Sequence, residues 1–303
     1  MCLINNNLNL VAIYMYICDL HDNQLKYSCE RFSNNNNPDF TDQEVITIYL
    51  YTMRFQNIFE IKSIYRYASN HLRSWFPLLP SYEAFNMRLN RLSEAFKLIC
   101  THLFSEKRPQ NCLLDVNLLD SLPIITCSGK RSGKVARELT DKGFCSTKGI
   151  YYYGLKLHAL AFRIPKKLPF PESIIITPAS ENDLNVFKQY WSDLYNRQFY
   201  GDKIYMNSDY FQNIVNEFNS IMLTPIKLIK NQSIDLRQHD KAANDIFSTA
   251  VSKIRQPIES LFNWLIEKTD IQRASRVRST KGLLVHVFGK IAAAYITLIL
   301  TLN

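Results

Sequence analysis

The chain of 303 residues lacks the motifs that identify several enzyme classes. It has no Gly-rich phosphate loop, no Gly-x-Ser-x-Gly turn and no His-Glu-x-x-His helix. Each of those motifs supplies a required part of its chemistry, namely a phosphate cradle, an exposed nucleophile or a pair of zinc ligands. Kinase, hydrolase and metalloprotease functions therefore have little support.

Cysteine pairs with Cys-x-x-Cys spacing are also missing. The seven cysteines are odd in number and scattered along the chain, which is typical of buried thiols in a reducing, intracellular compartment. Cys127, Cys145 and His158 match no spacing of structural zinc sites. We expect no zinc there, and we expect His158 to be a buried histidine with a hydrogen-bond partner.

Long apolar runs are few, and no secretory signal opens the sequence. Leu8–Ile17 is too short to cross a bilayer. Leu283–Leu300 is longer, but His286 and Lys290 interrupt it. We therefore expect a packed C-terminal helix, no membrane partner and a cytoplasmic location.

Positive charge is in excess. The net charge of +9 favours an anionic partner such as nucleic acid. A hydrophobic fraction of 47% is that of a folded globular protein, and the length allows one large core or two moderate ones.

Residues 1–108 are expected to form a helical N-terminal domain. Thr41 and Glu44 have the spacing of a capping box, and the helix that they open runs to about Phe55. Ser81 is expected to cap a further helix that carries Phe85, Leu89, Leu92 and Phe96. Because no recognition helix stands out, this domain suits DNA-end recognition and multimerisation equally well.

Residues 109–303 are expected to form an α/β domain. The predicted strands are Cys112–Leu119, Tyr151–Phe162, Ser173–Thr177, Phe199–Tyr205 and Pro225–Lys230. Predicted helices begin at a Ser180 cap and at about Asp209, and a third follows the last strand. This order is that of the ribonuclease H-like fold, a mixed sheet flanked by helices.

Three carboxylates on separate elements form the candidate site. Asp120 is expected at or just past the end of the first strand, because Ser121 and Pro123 are expected to end the ladder there. Asp115 is the competing choice. Asp202 lies towards the end of the fourth predicted strand.

Glu259 is the third carboxylate, and it lies one helical turn after Arg255 beside an apolar stripe. Pro257 either lies in the first turn of this helix or kinks it. Carboxylate oxygens are the ligands that Mg²⁺ prefers. Two such ions can stabilise the attacking and leaving oxygens of a phosphodiester displacement.

Four segments of the chain resemble bacterial insertion-sequence transposases of the DDE class. They are Asp120-Ser121-Leu122-Pro123, Gly143–Lys148 leading into Tyr153–His158, Gly201–Tyr205 and Arg255–Phe262. The resemblance implies a metal-binding catalytic triad of Asp120, Asp202 and Glu259. It also implies two Mg²⁺ ions, for which Mn²⁺ can substitute.

The same resemblance implies double-stranded DNA as partner, both the terminal inverted repeats and the target, and a homo-oligomer on DNA in the bacterial nucleoid. Two departures stand out. Ile204 replaces a frequent glycine, and Ile266 stands where some relatives have a lysine.

Basic side chains cluster after Asp120 and again after Glu259. These side chains either lie on solvated loops or contact DNA phosphates. In the second case the affinity for DNA would fall steeply as the salt concentration rises. The expected DNA-contacting residues are Arg131, Lys134, Arg137, Lys148, Lys156, Arg255, Lys268, Arg273 and Arg276.

The sequence thus predicts a transposase that cleaves the ends of its element and transfers the 3′-hydroxyl to target DNA. One alternative is a structure-selective metal-dependent nuclease, which would cut without joining. The other is a non-catalytic DNA-binding repressor derived from a transposase, whose DNA binding a chelator would leave unchanged.

Overall fold

A computed structural model describes residues 2–30, 38–146, 148–205, 208–226, 234, 238 and 241–300. The described part of the first 106 residues is helical, as predicted. Helix α1, Cys2–Leu20, continues through a π-helical turn into α2, Lys26–Cys29. Four more helices follow, α3 to α6, which span Asp42–Gln56, Ile61–His71, Tyr82–Arg91 and Ser93–Glu106.

The predicted helix starts in this region are confirmed. The Thr41 hydroxyl accepts the Glu44 N–H at 3.3 Å, and the Glu44 carboxylate accepts the Thr41 N–H at 2.6 Å. Ser81 caps α5. The single helix expected after Ser81 is wrong, because α5 ends at Arg91 and Phe96 lies on the separate helix α6.

One six-stranded sheet follows, with β1 at its centre. β1 pairs antiparallel with β3 on one edge and parallel with β5 on the other, and β6 pairs parallel with β5. β2 and β4 follow each other along the far edge of β3. The strands β1 to β6 are Leu113–Ser128, Asp141–Cys145, Ile150–Arg163, Phe170–Pro178, Gln198–Tyr200 and Ile221–Leu223.

Helices flank this mixed sheet, so that the fold is ribonuclease H-like, as the order of elements predicted. α7 follows β4, α8 separates β5 from β6, and the four further helices whose bounds lie within the described residues follow β6. Helices α7 to α12 are Asp183–Tyr190, Ser208–Phe218, Lys241–Arg255, Pro257–Thr269, Thr280–Leu284 and Lys290–Tyr295.

The predicted end of the first strand is wrong. β1 continues past Ser121 and Pro123 to Ser128, so Asp120 lies within the strand. Strand alternation points the nitrogen of Pro123 to the same edge as that of Ile125, which bonds to Gln272 and not to β3. β5 pairs with β1 only as far as Leu118, so the missing N–H of proline interrupts no ladder.

Other boundaries also differ from the prediction. β5 ends at Tyr200, and residues 203–205 form a 3-10 turn. β6 lies before the predicted Pro225–Lys230, of which residues 227–230 lie outside the described residues. Strand β2 was not anticipated.

Helix α7 begins later than predicted. Asn182 caps it by accepting the Leu184 N–H at 2.8 Å. Ser180 instead donates its N–H to the Asp141 carboxylate at 2.8 Å. Asn182 and not Ser180 is therefore the N-cap of α7, because Ser180 binds Asp141 and so connects the loop before α7 to β2.

The C-terminal helices pack into the N-terminal helical layer. Residues of α3, α6 and α12 belong to one continuous hydrophobic core with β1 and β3. Thr280–Ile299 is long and apolar enough to cross a membrane, but 67% of its apolar 18-residue window is buried inside the protein. This burial agrees with the packed helix predicted. The division of the chain after residue 108 stays a prediction.

Candidate catalytic carboxylates

The parallel pairing of β1 with β5 brings two carboxylates to one place. Leu118 is paired with Tyr200, and Asp120 and Asp202 each lie two residues further along. β5 ends at Tyr200 while β1 continues to Ser128, so Asp202 follows the end of β5 at the level of Asp120 within β1. The carboxyl ends of parallel strands are where open α/β sheets bind ligands. The charges of the two aspartates interact. Asp115, by contrast, is exposed near the start of β1.

Glu259 approaches the same edge from helix α10. Pro257 lies in the first turn of α10, where its missing N–H is not needed. Arg255 ends the preceding helix α9 and binds two carboxylates at once. Its guanidinium donates to Asp120 at 2.9 Å and to Glu259 at 2.5 Å. Arg255 therefore holds Asp120 and Glu259 through the two terminal nitrogens of one guanidinium.

The environment of Asp120 opposes ionisation. Burial raises the pKa of Asp120 to about 6, and the negative charges of Asp202 and Asp183 add to the shift. The Arg255 guanidinium and the Ser121 N–H, which donates to Asp120 at 2.8 Å, act in the opposite direction. A nearby divalent cation would be a further charge that favours the ionised form.

A fourth carboxylate, Asp183, lies beside this group and was missed as a functional residue in the sequence. It accepts hydrogen bonds from the Ser121 hydroxyl and the Lys156 ammonium, both at 3.0 Å, and it lies 3.5 Å from Nδ1 of His158. Ser121 faces His158 across the β1–β3 ladder. The spacing of Lys156 and His158, two residues apart on one strand face, was the signal for a shared partner.

His158 is completely buried, and its Nε2 lies 2.8 Å from the Thr177 hydroxyl, as expected for a core histidine with a partner. Lys156 is also withdrawn from solvent. Its side chain is 16% exposed, and its ammonium also donates to the Glu181 carbonyl at 2.7 Å. The structure thus places Lys156 within the Asp183 network and not on an open surface.

The donor set suits a hard divalent ion in kind, since it consists of carboxylate oxygens. The hydroxyl of Tyr205 and Nε of Arg255 are buried and have no hydrogen-bond partner among the residues that the structure describes. The Tyr205 hydroxyl is also close enough to Asp183, Asp120 and Asp202 to interact with their charges. Two unsatisfied donors beside carboxylates indicate a site built for further oxygen ligands.

In the present side-chain positions the Arg255 guanidinium occupies one oxygen of Asp120 and one of Glu259. In the part of the chain that the structure describes, no three Asp, Glu, His or Cys side chains are grouped closely enough to hold one metal ion. The Glu259 side chain is 50% exposed. Ligation by all three carboxylates therefore requires Arg255 to release at least one of them.

The structure brings the two basic segments together. The main chain of Ile125 bonds to Gln272 and Ala274, and Lys148 donates to the side chain of Gln272. Exposed side chains of the first segment are Arg131, Lys134 and Arg137, and those of the second are Arg273 and Arg276. Two clusters that are distant in sequence thus form neighbouring surfaces.

Three cations of the second cluster have acidic partners, among them Arg273, whose Nε lies 3.9 Å from the Asp270 carboxylate. Lys268 is partly exposed and pairs with Glu267 at 2.7 Å. Arg276 pairs with Glu60 of the N-terminal helical layer. Their charge is partly neutralised, so the unpaired cations of the clusters contribute more to an anionic contact.

Comparison with known proteins identifies one family. A family model described as "Transposase DDE domain" matches residues 111–280. This segment covers more than half of the chain and contains all six strands described above, together with Asp120, Asp202 and Glu259. The chain matches no curated protein and no solved structure.

Proposed function

Since the chain belongs to the transposases that carry a DDE domain, we propose that it cleaves DNA at the ends of its own insertion sequence and joins the 3′-hydroxyls to target DNA. Asp120, Asp202 and Glu259 are the proposed catalytic residues and the ligands of two Mg²⁺ ions, which Mn²⁺ can replace. Bound ions of this kind activate the attacking oxygen and stabilise the leaving oxygen.

The observation that carries this proposal is the register of the two parallel strands. It supports a pair of aspartates at one edge of the sheet, and Arg255 tethers Glu259 to Asp120. In this proposal Arg255 keeps the carboxylates apart before DNA binds, and DNA phosphates then compete for its guanidinium. The Asp183 network fixes Ser121, the neighbour of Asp120, against β3.

The DNA partners proposed are the terminal inverted repeats and the target. The exposed cations of the two neighbouring clusters support contacts to their phosphates. Residues 1–108 are proposed to recognise the ends or to assemble a homo-oligomer on them. The proposed location is the bacterial cytoplasm, in association with the nucleoid.

An excision assay tests the proposal with a matched pair of variants. A marker flanked by the repeats that neighbour this gene is excised in cells that express wild type, Glu259→Gln or Glu267→Gln. Glu267 lies on the same helix with its side chain 70% exposed. We expect wild type and Glu267→Gln to excise, and a loss of at least about 100-fold for Glu259→Gln, since its amide is a poor ligand.

Excision by folded Glu259→Gln at the wild-type level would remove Glu259 from the site. Purified protein separates the alternatives with labelled repeat DNA. Cleavage with Mg²⁺ but without joined product would indicate a nuclease. DNA binding that is insensitive to chelator, without cleavage in Mg²⁺ or Mn²⁺, would indicate a repressor.

A further inference from the structure

A cleft of about 820 Å³ lies away from the three carboxylates, between the N-terminal helical layer and the segment that follows α10. One wall comes from residues 59–62 and from α5. The other comes from residues 270–290. Two parts of the chain that are distant in sequence thus enclose one open volume.

Cations outnumber anions along this cleft. Its basic side chains are Lys62, Arg273, Arg276, Arg278 and Lys290, against the acidic Glu60 and Asp270. Glu60 pairs with Arg276, and Asp270 lies 3.9 Å from Arg273. Lys62, Arg278 and Lys290 have no ion pair with a carboxylate among the described residues. The cleft therefore keeps an excess of positive charge that its own carboxylates do not neutralise.

Lys290 is the cation whose position is hardest to explain by folding alone. It is 3% exposed, and its ammonium donates to the Asp270 carbonyl at 3.0 Å and lies 6.0 Å from the centre of the Phe59 ring. Burial lowers its pKa to about 8. An ammonium held this deep by one carbonyl loses hydration that a bound anion would replace.

We propose that this cleft binds the sugar-phosphate backbone of DNA, with Lys290 on its floor and Lys62 and Arg278 on its rim. The inference rests on the proposed transposase function, since that function supplies the DNA. It adds a second contact region, separate from the three carboxylates, that joins the N-terminal helices to the catalytic fold around one DNA segment.

The position of the cleft along β1 supports DNA over a small anion. Gln272 and Ala274 bond to Ile125 on the edge of β1 from which β5 has diverged. Ile125 lies five residues beyond Asp120, about 16 Å along a strand. DNA that contacts this cleft would reach the carboxylates along the same edge. A small anion at Lys290 would leave the rim cations unused.

Fluorescence anisotropy with the full-length protein tests the inference. A labelled duplex with the element's terminal repeat is titrated in EDTA, so that metal binding does not contribute. The variants are Arg278→Gln, Lys290→Met and the double variant. The control is Lys167→Gln, an exposed lysine between β3 and β4, at the other end of the sheet.

We expect each cleft variant to bind about threefold to tenfold more weakly. The slope of log affinity against log salt should become less steep by about 0.9 for each phosphate that the variant no longer neutralises. Lys167→Gln should bind like wild type. A single strand of the same sequence, titrated in parallel, tells whether the cleft holds a duplex or an unpaired strand.

Arg278→Gln keeps the test decisive if Lys290→Met does not fold, because Arg278 is exposed. Wild-type affinity and salt slope in folded Arg278→Gln would overturn the inference, as would equally weakened binding by Lys167→Gln. Failure of the proposed function is distinguishable from this result. It would appear as absent Mg²⁺-dependent cleavage while the cleft variants still bind DNA more weakly than wild type.

Discussion

Asp120 combines two properties that a purely structural residue would not retain. Its side chain is only 23% exposed, and it lies close enough to Asp202 and Asp183 for the three negative charges to interact. Burial of a carboxylate among like charges costs stability unless cations compensate. Arg255 is the compensating group in the structure, and a metal ion is the proposed one. Asp120 is therefore expected to oppose folding in the absence of metal.

Asp120→Asn should stabilise the metal-free protein at neutral and higher pH. The pKa of Asp120 is raised from 3.8 to about 6, so the folded state holds its proton more tightly than the unfolded state. The free energy of unfolding of wild type therefore falls as pH rises from 3.8 to about 6, and it stays at the lower value above about 6. We expect a gain of about 1–3 kcal/mol at pH 8 and none at pH 4.

Urea denaturation in EDTA at the two pH values measures this gain. Asp115→Asn, an exposed change on the same strand, should stay within about 0.5 kcal/mol. In excess Mg²⁺, wild type should become more stable than Asp120→Asn, because the ion stabilises wild type but not the variant. If Asp120→Asn is less stable than wild type at pH 8 without metal, then Asp120 is a structural residue.

Strands β1 and β3 carry both Asp120 and the Asp183 network, and their closest approach depends on Gly154. A side chain at Gly154 would overlap the carbonyl oxygen of Ile124, which is a backbone atom of the neighbouring strand. The two backbones therefore approach more closely than any other residue would allow. This approach fixes the ladder that places Ser121 opposite His158.

Gly154→Ala should destabilise the protein by at least about 3 kcal/mol, since neither strand can move without breaking ladder hydrogen bonds. Gly149→Asn is the matched control. Gly149 has a φ of +61° and open space around its Cα, a conformation that asparagine tolerates, so we expect a cost of at most about 1 kcal/mol. Thermal unfolding of both variants compares the two costs. Equal costs would show that backbone proximity at Gly154 is not limiting.

The sequence predicted elements better than it predicted their contacts. The predicted strand Tyr151–Phe162 matches β3 almost to its observed ends, and the Thr41 capping box marked the start of α3. Pro123 misled the prediction because a proline ends a strand only where its missing N–H would face a neighbouring strand. At Pro123 no strand of the described residues lies on that edge, since β5 pairs with β1 only as far as Leu118. The role of Asp183 was missed because it too depends on contacts between elements that are distant in sequence. Its partners Ser121 and Lys156 lie on two other elements.

At the scale of the whole molecule, buried titratable groups join the C-terminal helices to the sheet region. Nε2 of His286 lies 2.7 Å from the Ile271 carbonyl, in the segment that borders β1. Burial lowers the pKa of His286 to about 3, and the nearby Lys290 adds to the shift. Burial likewise lowers the pKa of His158 to about 4. Both histidines are thus neutral in the folded protein at pH values at which they would be protonated after unfolding.

Acid should therefore destabilise the protein before its carboxylates are fully protonated. As pH falls from about 6.5 to 4, the unfolded chain takes up protons at both positions and the folded chain does not. Each histidine then lowers the free energy of unfolding by up to about 1.4 kcal/mol per pH unit. Asp120 has the opposite slope between pH 3.8 and about 6, so the measurement is best made in the Asp120→Asn background.

His286→Gln keeps a hydrogen-bond donor for the Ile271 carbonyl and removes the titrating group. Between pH 6 and 4 we expect the variant to take up about one proton fewer on unfolding. The slope of the free energy of unfolding against pH, measured by urea denaturation at half-unit intervals, gives this number. At pH 7.5 the slope of its free energy of unfolding against pH should equal that of Asp120→Asn alone, because histidine titrates little at this pH in either the folded or the unfolded state. An unchanged slope below pH 6 would mean that His286 is protonated in the folded state, and that this junction accepts a charge beside Lys290.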